Sequence, residues 1–149
     1  MPNLIWSAIS HLQLGEIAEH LAKIEFISHD FEVYDTVIDD RGIDFIARNK
    51  DGKFFEVQVK AVRKYNYTYI AKSKMKTLSN DRLLCYLHFK DGAMPDIYII
   101  PATVWEQSND IFQDKEYKDL KSKPEWGINI TKRNEKEFLP YLSENFFNN

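Results

Sequence analysis

Cysteine is nearly missing from this chain, with Cys85 the only one. That excludes a disulfide framework and any zinc site built on cysteine thiolates. No apolar run approaches the roughly 20 residues that a membrane-spanning helix needs, so no membrane partner is expected. Met1 to Ser10 has neither a basic start nor a long apolar core. No secretion signal is therefore expected, and the expected compartment is the cytoplasm. Internal repeats and low-complexity tracts are also missing. His20 follows Glu16 by four residues, the spacing of helical metal pairs, but no further His or Cys stands nearby to complete a zinc site. What remains is 149 residues, 44% hydrophobic and 29% charged. Those values describe one soluble globular domain over 1–149.

Acidic residues are missing from one stretch in particular. Between Val57 and Asn80 there is no Asp or Glu, while Lys60, Arg63, Lys64, Lys72, Lys74 and Lys76 contribute +6. The whole chain carries −3, so the remainder carries −9. A basic strip inside an acidic protein has two readings. It is an ordinary solvated face, or it contacts a polyanion.

Ser10-His11-Leu12-Gln13 has capping-box spacing and predicts a helix start, with Leu14, Ile17, Ala18 and Leu21 at helical intervals and an end near Lys23. Strands are predicted over Phe31–Val37, Ile43–Arg48, Lys53–Val62, Tyr65–Ala71, Leu83–Phe89, Asp96–Ile100 and Trp126–Ile130. Asp39-Asp40-Arg41-Gly42 reads as a turn and Ser73–Asn80 as a short helical or irregular piece. Thr103–Gln107 and Asn134–Glu144 read as helices. The polar, Lys-rich segment Asn109–Glu125 has no clear pattern. A leading helix, a run of strands and then mixed elements suit an α/β domain with a central sheet flanked by helices.

The strand Lys53–Val62 carries the chemistry. Side chains alternate faces, so Phe55, Val57 and Val59 share one face while Glu56, Gln58 and Lys60 share the other. The preceding strand contains Asp44. A three-residue loop, Lys50-Asp51-Gly52, is a favoured hairpin form closed by a left-handed glycine. It pairs Asn49 with Lys53 and hence Asp44 with Gln58, which brings Asp44, Glu56, Gln58 and Lys60 to one patch. Oxygen donors beside a lysine suit divalent-metal hydrolysis of a phosphodiester. Magnesium takes oxygen ligands while keeping several waters, and an ammonium offsets charge that builds on the phosphorane. Tyr65, Tyr67 and Tyr69 alternate on the next strand, where they either pack or stack on bases.

Gly42-Ile43-Asp44-Phe45, a hairpin, and Glu56-Val57-Gln58-Val59-Lys60 together resemble the active-site signature of the PD-(D/E)XK nuclease superfamily. The Gln form is similar to its Mrr-like branch and small bacterial relatives. The resemblance covers about Gln13 to Ile70. It implies a restriction-endonuclease-like fold, a mixed central β-sheet flanked by helices, and a metal-dependent nuclease most readily acting on DNA, with RNA left open. It also implies that the leading helix supplies a metal-binding carboxylate, which is Glu16 here. In these terms Asp44, Gln58, Lys60 and Glu16 are the catalytic set. Asp44, Gln58, Glu16 and, as a weaker candidate, Glu56 would face Mg2+, with Mn2+ as its substitute. Arg63, Lys64, Lys72, Lys74, Lys76 and Tyr67 would face nucleic acid. Two departures accompany the match: Ile43 stands where the family often has Pro, and Gln58 where it usually has Glu. The second keeps another reading open, a catalytically inactive nuclease-fold module that binds nucleic acid or a protein partner. Cutting of both strands would call for a homodimer.

Overall fold

The computed structural model describes residues 1–37, 41–118 and 120–149; the expected turn at Asp39-Asp40 lies outside them. Ser10 caps the first helix as its sequence predicts. Its hydroxyl oxygen accepts from the Gln13 N–H at 3.1 Å, and its own N–H donates to the Gln13 side chain at 2.9 Å. The helix, α1 (His11–Ser28), runs past the expected end near Lys23. Ala22 and Phe26 extend the fully buried series begun by Leu14 and Ala18, so packing carries the helix one more turn.

The strands are β1 (Glu32–Asp35), β2 (Phe45–Arg48), β3 (Phe54–Val62), β4 (Tyr67–Ala71), β5 (Arg82–His88), β6 (Asp96–Pro101), β7 (Phe112–Lys115) and β8 (Glu125–Asn129). Five form a mixed sheet in the order β1-β2-β3-β5-β6, in which only β3 and β5 run parallel. The others form an antiparallel sheet, β4-β8-β7. β7 lies in the segment that had no clear pattern. The helix expected over 134–144 is instead a 3₁₀ segment, Glu135–Tyr141, followed by the short α2 (Ser143–Phe147). Pro140 lies inside the former and has no N–H to donate to an α-helical ladder. The helix expected over Thr103–Gln107 is a 3₁₀ turn, Ala102–Glu106.

β5 is buried along its whole length because both of its faces are covered. Leu83, Cys85 and Leu87 pack under α1 with Phe45, Ala47, Phe55 and Val57. Leu84 and Tyr86 pack against Ile70, Phe112, Trp126 and Ile128 of the small sheet. Trp105 and Trp126 anchor this core. Trp105 donates its indole N–H to the Gly127 carbonyl and Trp126 donates to that of Met75, each at 2.9 Å. Burial pushes the Cys85 thiol up, which leaves it protonated and inert.

His88 lies buried at the end of β5, stacked on Tyr65 with ring centroids 3.8 Å apart. Burial holds its imidazole below the ordinary 6.5, and Lys90 adds to the effect. The unfolded chain therefore binds a proton that the native state refuses. Stability falls as pH drops through 6.5 and levels off below the native pKa. The urea midpoint is expected to decline between about pH 7 and pH 5. His88→Phe, which keeps the stacking, should flatten that decline. An unchanged slope in the variant would exclude His88 as the titrating group.

Candidate active site at the open edge of the central sheet

The hairpin register is the one that the loop length predicts. Arg48 lies opposite Phe54 and Phe45 opposite Val57, so the pairing reaches Asn49 with Lys53 in one direction and Asp44 with Gln58 in the other. Asn49 donates to the Lys53 carbonyl at 2.9 Å, and Gly52 has the left-handed φ of +84°.

β2, however, stops at Phe45. The Asp44 N–H still donates to the Val57 carbonyl at 2.8 Å, and its carboxylate Oδ2 accepts the Val59 N–H at 2.6 Å. Val59 donates toward the side that β2 has just vacated. The Asp44 side chain thus takes the place of the missing strand, and from Val59 onward no strand among the described residues pairs with that edge of β3. Gly42 sets up this departure. Its φ is +69°, and a Cβ there would lie 3.0 Å from both Cβ and O of Lys74 and 3.3 Å from the Gln58 amide nitrogen. Only glycine fits without displacing a neighbour.

The open edge borders a cleft of about 520 Å³ lined by His11, Gly15, Lys60, Lys64, Tyr67 and Thr68, among others. The N-terminal turn of α1 forms one wall and β4 the other. Lys60 is half-buried and donates to the Tyr69 carbonyl at 3.0 Å. Burial holds its ammonium below the ordinary lysine value. Glu16 is exposed on α1, one residue beyond the wall residue Gly15.

Glu56 and Gln58 share the face of Lys60, but Glu56 lines a second and larger cleft of about 960 Å³, with Arg41, Phe54, Lys74, Lys76 and Arg82 among the other lining residues. One residue of this second cleft was not anticipated. Arg82, only 6% exposed, opens β5 directly beside Glu56 in the parallel register. Its Nη2 donates to the carbonyls of Arg41 and Gly42 at 3.1 Å, to that of Lys74 at 2.9 Å and, weakly at 3.4 Å, to the Gln58 amide oxygen. Its Nη1 lies 3.6 Å from Glu56 Oε2. An arginine heading an otherwise apolar strand was the available signal. Its targets come from segments far away in sequence.

The basic strip divides in two. Arg63 donates to the carbonyls of Trp6 and Ile9 at 3.0 and 2.7 Å, pinning the segment ahead of α1. Lys72 pairs with Asp114 and Glu116 and sits 4.0 Å over the Trp126 ring. Both are engaged by the fold, unlike the nucleic-acid contacts expected of them, because acidic and carbonyl partners reach them from other elements. Lys64, Lys74 and Lys76 have exposed side chains. Tyr65, expected to share the face of Tyr67 and Tyr69, lies outside β4. It is half-buried, its hydroxyl 2.6 Å from that of Tyr98.

Among the described residues no three His, Cys, Asp or Glu side chains gather at a metal-sized site. The donors at the open edge are the Asp44 carboxylate and the Gln58 amide oxygen. Both are hard oxygen donors, and one or two carboxylates suffice for magnesium because it retains waters and takes the rest of its shell from substrate phosphate. The set fits such an ion in kind.

These features define a restriction-endonuclease-like fold, a mixed sheet flanked by helices whose β2–β3 pair opens at Asp44. The chain is similar to two nucleases of that type in particular. One is Hjc, a Holliday junction resolvase from the archaeal hyperthermophile Archaeoglobus fulgidus, with a TM-score of 0.51 and 13% identity over 77% of this chain and 83% of the other. The other is the bacterial homing endonuclease I-Ssp6803I, with a TM-score of 0.52 and 14% identity over 91% of this chain and 88% of the other. At such identities the likeness is one of fold. No protein-family model and no curated protein matches the sequence, and no helix among the described residues is long and apolar enough to cross a membrane.

Proposed function

We propose that the protein is a metal-dependent nuclease that hydrolyses phosphodiester bonds in DNA, with Asp44, Gln58 and Lys60 as its working residues. The observation that carries this reading is the geometry of the strand opening. Asp44 is anchored on the Val59 N–H within the motif strand, while Lys60 enters the adjoining cleft from the same strand. Asp44 and Gln58 would hold Mg2+, or Mn2+ in its place, with Glu16 as a direct or water-mediated ligand and Glu56 as the more remote carboxylate. When bound, the ion supplies Lewis acidity toward the phosphate and a more acidic water. Lys60 orients the attacking water and offsets the negative charge that grows on the phosphoryl oxygens. Lys64, Lys74 and Lys76 hold the DNA backbone from the two clefts, a contact that weakens as salt rises. The cytoplasm is the compartment in which this activity would operate, and a homodimer is the arrangement that would let it cut both strands.

The alternative, a nuclease fold without catalysis, draws support from Arg82, whose guanidinium lies against Gln58 and Glu56 where added positive charge opposes a metal ion. Calorimetry with Mg2+ and Mn2+ separates the two. The nuclease reading expects binding that is lost in Asp44→Ala, together with cleavage of supercoiled, single-stranded or branched DNA by the wild type. A wild type that neither binds the ion nor cuts DNA would leave only the inactive module.

A further inference from the structure

The small sheet turns one face to the core and the other outward. Pairing places Tyr67 and Tyr69 of β4, Gly127 and Asn129 of β8, and Gln113 and Lys115 of β7 on one side. Ile70, Ile128 and Phe112 point the other way, into the core. Tyr67 and Tyr69 are 37% and 51% exposed, although either ring could have been buried by a sheet that needed it for packing.

The arrangement of the two rings is specific. Tyr67 lies across β8: a Cβ on Gly127 would stand 2.5–2.9 Å from its Oη, Cε2 and Cζ atoms. Only the missing side chain of Gly127 leaves room for this end of the Tyr67 ring to cross the strand. The Tyr67 hydroxyl donates to the buried carboxylate of Glu125, which locks the ring and covers that negative charge. The Tyr69 ring follows, its centroid 6.5 Å from that of Tyr67 and its plane 25° from parallel. A lysine ammonium lies over each ring: Lys115 Nζ is 5.9 Å from the Tyr67 centroid and Lys60 Nζ 5.6 Å from the Tyr69 centroid.

Two exposed, nearly parallel rings beside cations are the elements of a stacking platform for bases on a polyanionic backbone. Bases offer their faces only when they are unpaired, since a duplex presents phosphates and groove edges. The platform is also continuous with the candidate active site. Tyr67 and Thr68 line the cleft that holds Lys60, and the Tyr69 carbonyl accepts the Lys60 ammonium. A strand stacked on this face is led directly past Lys60.

We infer that the outer face of β4-β8-β7 binds single-stranded DNA by stacking on Tyr67 and Tyr69, so that an unpaired strand is the substrate delivered to Lys60. The first half stands on the sheet face itself; the second rests on the nuclease reading. The test uses the full-length protein in EDTA at low salt. Fluorescence anisotropy compares a labelled oligothymidylate with a blunt duplex of equal length. The wild type should bind the single strand more tightly. Tyr69→Ala should weaken that binding by about fivefold to a hundredfold, the range for one lost stack, and leave duplex binding as it was. Tyr69→Phe should restore it, because the ring does the stacking. Each variant retains the Tyr69 carbonyl that holds Lys60. A duplex preference, or equal binding by wild type and Tyr69→Ala, would overturn the inference. Cleavage by the same proteins in Mg2+ keeps the two ideas apart. Ring-dependent single-strand binding without cleavage would sink the nuclease reading alone. Cleavage of a single strand by Tyr69→Ala at the wild-type rate would sink only the delivery of that strand by the platform.

Discussion

Lys60→Met is expected to remove DNA cleavage while leaving the protein at least as stable as the wild type. Charge stabilisation of a transition state by one group contributes about 3–4 kcal/mol, so cleavage in Mg2+ or Mn2+ should fall by about 10²- to 10³-fold. Stability should move the other way. Lys60 is held in a partly desolvated position by one carbonyl, and no acidic partner among the described residues offsets that burial, which depresses its ammonium below the ordinary value. At neutral pH the charged form carries the desolvation cost, which is relieved as pH rises through the native pKa toward 10.5. Methionine keeps the length and apolar stem of the side chain without the charge. A melting temperature unchanged or raised, together with lost cleavage, marks a residue retained for chemistry at the expense of the fold. Cleavage equal to wild type would remove Lys60 from the mechanism, and a large drop in melting temperature would make it a structural residue.

Arg82→Met is expected to do the opposite and destabilise the fold by about 3–5 kcal/mol. The guanidinium joins three carbonyls, of Arg41, Gly42 and Lys74, that otherwise lack this donor in a buried place. Hydrogen bonds to a charged group contribute about 1.5–3 kcal/mol each, and leaving buried acceptors unmet costs about 1–3 kcal/mol apiece. The ion pair to Glu56 adds little, since that carboxylate is half exposed and 3.6 Å away. For a chain of this size the melting temperature should fall by roughly 6–20 °C. Arg82→Lys should recover only part of this, because a compact ammonium is more strongly hydrated than a guanidinium and costs more to bury. Urea denaturation gives the number, and a loss below about 1 kcal/mol would mean that water takes over the contacts. Arg82 also holds the Gly42 carbonyl two residues before Asp44, so the variant's residual metal binding reads out how far the strand opening depends on it.

The local parts of this molecule were legible in the sequence. Ser10 and Gln13 specified the start of α1 because a capping box is satisfied within one turn. Lys50-Asp51-Gly52 specified the hairpin register, and with it the pairing of Asp44 with Gln58, because loop length and a left-handed glycine leave little choice. The common face of Glu56, Gln58 and Lys60 followed from the two-residue period of a strand. The basic strip was visible as a count of charges, but not its fate. Asp114 and Glu116 come forty-odd residues after Lys72, and the carbonyls of Trp6 and Ile9 come more than fifty before Arg63.

What the sequence by itself determined was therefore the set of groups and their local order: a capped helix, a hairpin with one register, and an Asp, a Gln and a Lys brought to one end of a strand. Only the tertiary structure decided where β2 stops, so that Asp44 turns its carboxylate onto β3. It alone placed Arg82 beside Glu56 through the parallel β3–β5 pairing, and laid Tyr67 across Gly127 of a strand some sixty residues away. The physical reason is the same in each case. Hydrogen bonds within a turn or hairpin are chosen by backbone geometry that a few residues encode. A buried cation or an exposed ring gets its partners from whichever distant strand the shared core brings alongside.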